Sequence, residues 1–141
     1  MNSFLQSIDP ELAAIQEEGQ VKLIAFIKNR PLNYSKFIQI TTKFGFSDEQ
    51  CRELLNLSRN SFYRLKRTSV IDSQSSFRVI ELANIWNLGL SAFDNQEETL
   101  VKWLNSSNKM IGNKTPKDLL TTGLGFSFVE QELLRIEHGI Y

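Results

Sequence analysis

The chain has 141 residues, enough for one compact domain or for two small helical subdomains sharing a core. Its 41% hydrophobic and 23% charged content is ordinary for a globular protein, and a net charge of zero excludes any bulk electrostatic attraction to nucleic acid or membrane. No stretch approaches the roughly 18 uninterrupted apolar residues of a membrane span, and the start lacks the basic region and apolar run of a signal peptide, so the chain reads as cytoplasmic.

Helical periodicity dominates, and the fold class it predicts is all-α. Asp9-Pro10-Glu11 reads as an N-cap, a first-turn proline and an acidic first turn, opening a short helix that Gly19 ends. VKLIAFIKN (21–29) is densely apolar and fits strand or helix; we read a helix. Arg30-Pro31 breaks it, because the residue before a proline avoids helical dihedrals. Ser35 to Phe44 forms the next segment, closed by Gly45. Ser47 opens SDEQCRELL, with Asp48 and Glu49 where the helix dipole favours acids, and Ser58 opens SRNSFYRLKR. The stretch around 69–76, polar apart from Val70 and Ile71, reads as a joint, and SFRVIELANIWNLGL (76–90) as a longer, strongly apolar helix.

Asn95 then caps QEETLVKWLN, with Leu100, Val101 and Leu104 on one face and Trp103 at its edge; SSNKMIGNK reads as a loop. Thr115-Pro116-Lys117-Asp118 combines an N-cap threonine, a first-turn proline and an acid three residues after the cap, opening a short helix that ends at Gly123. Ser127 to Glu130 reads as a capping box for the last helix, which runs to His138 with Gly139 as its stop.

Catalytic and metal chemistry find little footing. The one histidine, His138, and the one cysteine, Cys51, stand 87 positions apart with no zinc spacing, and a lone cysteine forms no internal disulfide. Adjacent Glu97 and Glu98 point in different directions on a helix and make a poor acid–base pair. Gly123-Leu124-Gly125 lacks the strand and lysine of a phosphate loop and reads as a helix-to-helix turn. The expectation is a protein that is not an enzyme, with no metal and no cofactor.

The charge is unevenly spread. Between Lys36 and Arg67 seven basic residues face three acidic ones, whereas from Phe93 onward seven acidic face five basic. Within the basic half, FSDEQCRELLNLSRNSFYRLKR fits a helix-turn-helix. Asn56 tolerates the left-handed turn, and Leu57, Phe62 and Leu65, with Leu55 behind them, anchor the second helix. Where such helices cross, a small residue is usual; Arg52 stands four before Asn56, and Cys51 fits with the turn shifted by one residue. The opposite face carries Arg59, Asn60, Tyr63, Arg64 and Arg67. Arginine and asparagine pair with base edges, while Tyr63, Lys66 and Arg67 suit phosphates and Ser58 caps the helix. The bland reading of the same residues is a helical bundle with a basic solvated face.

The last 48 or so residues resemble the C-terminal toxin-binding domain of the Xre/MbcA/ParS antitoxins. The resemblance rests on KWL (102–104), the NKMIGNKTPKDLL run (108–120), the glycines at 123–125 and the RIEHGIY ending, in that order and at those spacings. Upstream, the layout is similar to the family's divergent Xre-like helix-turn-helix and long connecting helix; the resemblance covers roughly residues 30 to 141 and does not extend to the first 30. The resemblance implies a type II antitoxin that dimerises, binds a cognate RES-domain toxin and represses its own operon by binding operator DNA. Such toxins degrade NAD, and the antitoxin covers the entrance to the active site.

The domain organisation expected is an N-terminal helical extension (1–30), a helix-turn-helix with a connecting, dimerising helix (31–92), and a toxin-binding domain (93–141). Val129, Leu133, Ile136 and Ile140 form one apolar stripe for packing on the TPKDLL helix, leaving Leu134 and Tyr141 to face a partner. Arg135, Glu137 and His138 form a polar rim beside Gly139, Ile140 and Tyr141; His138 equally suits compensation of the helix dipole. The helix 76–90, with Phe77, Ile80, Ile85 and Trp86, is apolar around much of its circumference, as a buried central helix or a homodimer interface would be. The rival readings are a stand-alone DNA-binding regulator and a toxin-binding module whose helix-turn-helix is relict.

Overall fold

The computed structural model describes residues 2–139, and among these the fold is all-α. In chain order the helices are α1 (Ser3–Ile8), α2 (Pro10–Glu17), α3 (Gln20–Asn29), α4 (Tyr34–Phe44), α5 (Asp48–Leu55) and α6 (Arg59–Thr68). They are followed by α7 (Ser73–Ala92), α8 (Glu97–Leu104), a 3-10 turn (Lys109–Ile111), α9 (Pro116–Leu119) and α10 (Gly123–Glu137). Two isolated bridges, Asn33 with Val70 and Asn108 with Lys114, pin loops to each other.

Short polar side chains start most of these helices by accepting an orphan N–H from the first turn. Asp9 accepts from Leu12, Asn33 from Lys36 and Thr115 from Asp118. Ser47 and Gln50 close a reciprocal capping box at α5.

The 20-residue α7 is the axis of the fold; α1, α3, α4, α5, α8 and α10 all pack against it. Val79, Leu82 and Ala83 are fully enclosed, and Trp86 meets Phe44 edge-on with ring centres 5.2 Å apart. A single cluster of buried side chains runs from Leu5 to Leu133 and takes in all three expected domains. Residues of the N-terminal extension are part of it, since Leu5, Leu12 and Ile27 are completely buried. Each such side chain contributes about 1.5–3 kcal/mol by leaving water.

Polar contacts fasten the same segment. Asn2 Nδ2 and Gln16 Nε2 both donate to Asn84 Oδ1 on α7, at 2.8 and 3.0 Å. The enclosed Asp9 carboxylate accepts from Arg30 at 2.7 Å and Lys36 at 2.6 Å, tying α2 to the end of α3 and the start of α4.

Several boundaries differ from the sequence expectation. α1 precedes Asp9 and had no sequence signal of its own. α7 begins at Ser73, capped by Asp72, and Ile71 in the supposed joint is buried. Asn95 does not cap α8; it adopts a left-handed conformation and donates its N–H to Leu90 O, so it stops α7 instead, and Gln96 occupies the cap position. Val101 lies toward solvent rather than with Leu100 and Leu104. α9 ends at Leu119, short of Gly123, and Ser127 is no cap, because α10 already starts at Gly123. There Thr122 Oγ1 accepts the Gly125 N–H at 3.1 Å.

The reason for a glycine in that first turn is steric. A Cβ on Gly125 would sit 2.2 Å from Leu119 O, so the close approach of α9 and α10 admits no side chain at this position. The apolar stripe of α10, with Val129 and Leu133 fully buried, rests on α7 as well as on α9.

Candidate functional site

Two separate faces carry the residues singled out in the sequence. The first is built by α5 and α6. Asn56 takes the left-handed conformation at φ 53°, and Arg52 Nη1 reaches past it to donate to Leu57 O at 2.9 Å while its guanidinium also pairs with Glu49. Arg52 thus braces the turn from outside, and Cys51 is the residue enclosed beside α4. Burial raises the Cys51 thiol pKa, against a lowering contribution from its hydrogen bond with Thr41. A thiol in that environment is an inert packing group.

Phe62 and Leu65 seat α6 on the core and leave Arg59, Asn60, Tyr63, Arg64 and Arg67 exposed, with Tyr63 at 70%. Arg64 is steadied by Ser61 Oγ at 3.2 Å. Ser58 caps the helix: its Oγ accepts the Ser61 N–H at 3.2 Å and donates to Ser61 Oγ. Lys66 stands apart from the other cations. Its ammonium donates to Asp48 at 2.9 Å and lies over the Phe62 ring, and the hydrogen bond to Asp48 raises its pKa. That partner comes from the start of α5, and only the angle between the two helices brings it within reach.

The second face lies on α10. Arg135 is exposed and paired with Glu132 at 2.7 Å, and His138 is the exposed C-cap residue. Gly139 follows at φ 70°, while Ile140 and Tyr141 lie outside the described residues. Glu137 takes a different direction: its carboxylate accepts from Ser91 Oγ of α7 at 2.5 Å, so it does not join the rim expected beside Arg135. Leu124, read from the sequence as part of a turn, opens the face instead and is 90% exposed. Helical spacing places Leu124, Phe128, Gln131, Arg135 and His138 along one side of α10. Leu134, 38% exposed, flanks them.

The two faces are joined by contacts from α9 to the end of α4 and the first turn of α5. Lys117 Nζ donates to Gly45 O at 3.4 Å, and Gln50 Nε2 donates to Asp118 Oδ1 at 3.2 Å. Lys43 and Glu97 add an ion pair at 3.0 Å between α4 and α8.

Three of the four residues expected at a dimer contact are occupied within the chain. Ile80, Ile85 and Trp86 are at most 2% exposed, so the apolar circumference of α7 is explained by its own neighbours. Phe77 is half-buried.

Among the described residues no helix is long and apolar enough to cross a membrane, and no three His, Cys, Asp or Glu side chains gather where they would hold a metal ion. No curated protein gives a significant match to the chain. Residues 90–139, which span the end of α7 and the whole α8–α10 face, match the family model of the antitoxin Xre/MbcA/ParS C-terminal toxin-binding domain.

Proposed function

We propose that this protein is the antitoxin of a type II toxin–antitoxin pair, and that it neutralises a RES-type, NAD-degrading toxin by covering the mouth of its active site. The observation that carries the reading is the match of residues 90–139 to a toxin-binding domain. The open side of α10 supplies a surface for it, with Leu124 as an apolar anchor and Arg135 and His138 as polar contacts. Gly139 follows the helix end, and Ile140 and Tyr141 are assigned to the toxin contact from the sequence alone. The antitoxin contributes no catalytic step; NAD chemistry belongs to the partner. It acts in the cytoplasm, where a single thiol stays reduced.

The same chain represses its own operon, with α6 lying in the major groove of operator DNA. Arg59, Asn60 and Arg64 read base edges, while Tyr63 and Arg67 hold phosphates. Ser58 presents the N-terminus of the helix to the backbone, and Lys66 adds to the local field although Asp48 partly neutralises it. That pairing, together with a net charge of zero, favours a second reading in which the helix-turn-helix is relict and the chain binds toxin alone.

Co-expression with the neighbouring gene product tests the main reading. The neighbour is expected to arrest growth and lower cellular NAD when expressed alone, and to do neither beside this chain. A neighbour that is harmless alone, or that still arrests growth in the presence of this chain, refutes the assignment.

A further inference from the structure

Two acids open α5, and both engage cations of the helix-turn-helix. Asp48 and Glu49 stand in its first turn, where the helix dipole favours them, yet neither is the cap, because Ser47 holds that place. The Asp48 carboxylate accepts from Lys66 Nζ at 2.9 Å, across 18 positions of sequence, and Glu49 pairs with Arg52. The Arg52 hydrogen bond is the main cause of a lowered Glu49 pKa, and the charge of Arg59 adds to it, so Arg59 also lies near this end of α5. Arg59 and Lys66 are seven residues apart, just short of two full turns, and therefore share one edge of α6. Asn60, Tyr63, Arg64 and Arg67 lie further round on the exposed side. The Asp48 side chain is 75% exposed against 35% for Lys66, so the pair draws the lysine inward and leaves the carboxylate open to solvent. A helix N-terminus ordinarily attracts phosphate, and the first helix of a helix-turn-helix crosses the DNA backbone. In this chain two carboxylates hold that position.

We propose that Asp48 is an internal stand-in for a DNA phosphate: in the free chain it holds Lys66, and a duplex must displace it before that lysine reaches the backbone. The inference rests on the reading that α6 meets DNA, and it gives the Lys66–Asp48 pair the role of a restraint. Its signature is in the salt dependence. A lysine that neutralises a phosphate ordinarily releases about one counterion. When Lys66 leaves Asp48, however, the bared carboxylate gathers a cation, so the exchange gives no net release. The restraint acts alike on every sequence, because phosphate contacts carry no base information. It lowers the hold on unrelated DNA and leaves recognition to the side chains further round α6.

Fluorescence-anisotropy titrations of the full chain test this, on its own upstream DNA and on an unrelated duplex, between about 50 and about 200 mM salt. Asp48→Asn, which leaves the Ser47 cap in place, is expected to tighten binding to both duplexes by about 3- to 5-fold at the low-salt end. It is also expected to steepen the log–log salt slope by about 0.9. Lys66→Ala alone is expected to change affinity by less than about 2-fold, and added to Asp48→Asn to remove the whole gain. Glu98→Gln, the same change in net charge at an exposed acid of α8, is expected to leave the slope unaltered. Unchanged binding by Asp48→Asn, a gain that survives Lys66→Ala, or an equal gain from Glu98→Gln would each overturn the restraint. The two ideas fail differently. A wild type that prefers its own upstream DNA while Asp48→Asn matches it removes the restraint alone. A wild type that binds neither duplex, beside an Asp48→Asn chain that binds both through Lys66, removes operator recognition and keeps the restraint; if neither chain binds, both fall.

Discussion

Replacing Asp9 probes how the N-terminal segment is held. Its Oδ1 accepts the Leu12 N–H at 3.1 Å, and its Oδ2 accepts from both Arg30 and Lys36, so one carboxylate starts α2 and links three helices. Loss of an N-cap costs about 1 kcal/mol. The Lys36 pair, with the lysine 25% exposed and the carboxylate 4%, contributes about 1 kcal/mol more. The Arg30 pair, with its guanidinium 46% exposed, is screened by solvent and adds about 0.5 kcal/mol. Asp9→Ala is therefore expected to cost about 2–3 kcal/mol and to lower the melting temperature by roughly 6–10 °C. Asp9→Asn keeps the cap acceptor but removes the charge, and is expected to cost about half as much.

The pH dependence gives a sharper test. Burial works to raise the Asp9 pKa, but the Lys36 hydrogen bond, the Leu12 N–H and the two cations outweigh it, and the net shift is downward from 3.8. A carboxylate with a lowered folded-state pKa contributes stability that is fully present above its unfolded value and is lost as pH falls through the folded one. Urea unfolding of wild type and Asp9→Asn is thus expected to show a gap at neutral pH that closes below about pH 4. Equal stability at neutral pH, or a gap that persists unchanged into strong acid, would refute the role given to this carboxylate.

Two further substitutions test other parts of the structure. Gly125→Ala is expected to destabilise by about 1–3 kcal/mol because its Cβ would meet Leu119 O, whereas Gly123→Ala, with nothing within 4 Å, is expected to be neutral or to stabilise by up to about 1 kcal/mol; thermal melts of the pair decide it, and similar effects of the two would refute the packing at the α9–α10 corner. Arg59→Ala with Arg64→Ala is expected to abolish a gel shift on the chain's own upstream DNA while leaving toxin rescue intact; a retained shift would mean that α6 is not the reading helix.

Where the sequence could be read, the deciding chemistry was local. Asp9, Ser47, Ser58 and Thr115 cap helices by reaching only three residues ahead, and Asn56 bends the chain through its own dihedrals. Where the reading failed, the deciding partner was distant or the residue had two uses. α1 is six residues long and is held through Asn2 by Asn84, more than 80 positions away. Asn95 suits both a cap and a left-handed stop, and the end of α7 claims it. The Ser127–Glu130 pattern lost to Thr122 because Gly125 can approach Leu119 so closely. The candidate sites divide in the same way. The exposed side of α6 follows from spacing, but the pairing of Lys66 with Asp48 and of Glu137 with Ser91 depends on angles between helices. Nor does periodicity distinguish an apolar helix enclosed by its own chain from one awaiting a partner, which is why Ile80, Ile85 and Trp86 read equally well both ways.

The segment matched to the toxin-binding family is not a physical unit by itself. Its first residue, Leu90, lies inside α7, and the residue before it, Gly89, is where α8 closes on that helix; a Cβ there would come within 2.6 Å of Leu100 Cδ1. Leu100, Leu104, Val129 and Leu133 are at most 1% exposed, and α7 provides much of the surface against which α8 and α10 pack. Each enclosed side chain is worth about 1.5–3 kcal/mol, against a typical total stability of about 5–15 kcal/mol. Removing residues before 90 would therefore withdraw more burial than the remaining helices can spare. The side of α10 that faces outward keeps its shape because α7 lies beneath it, and α4 and α5 rest on that same helix. The two candidate faces consequently share one support, so a partner that tilts α10 loads α7 directly.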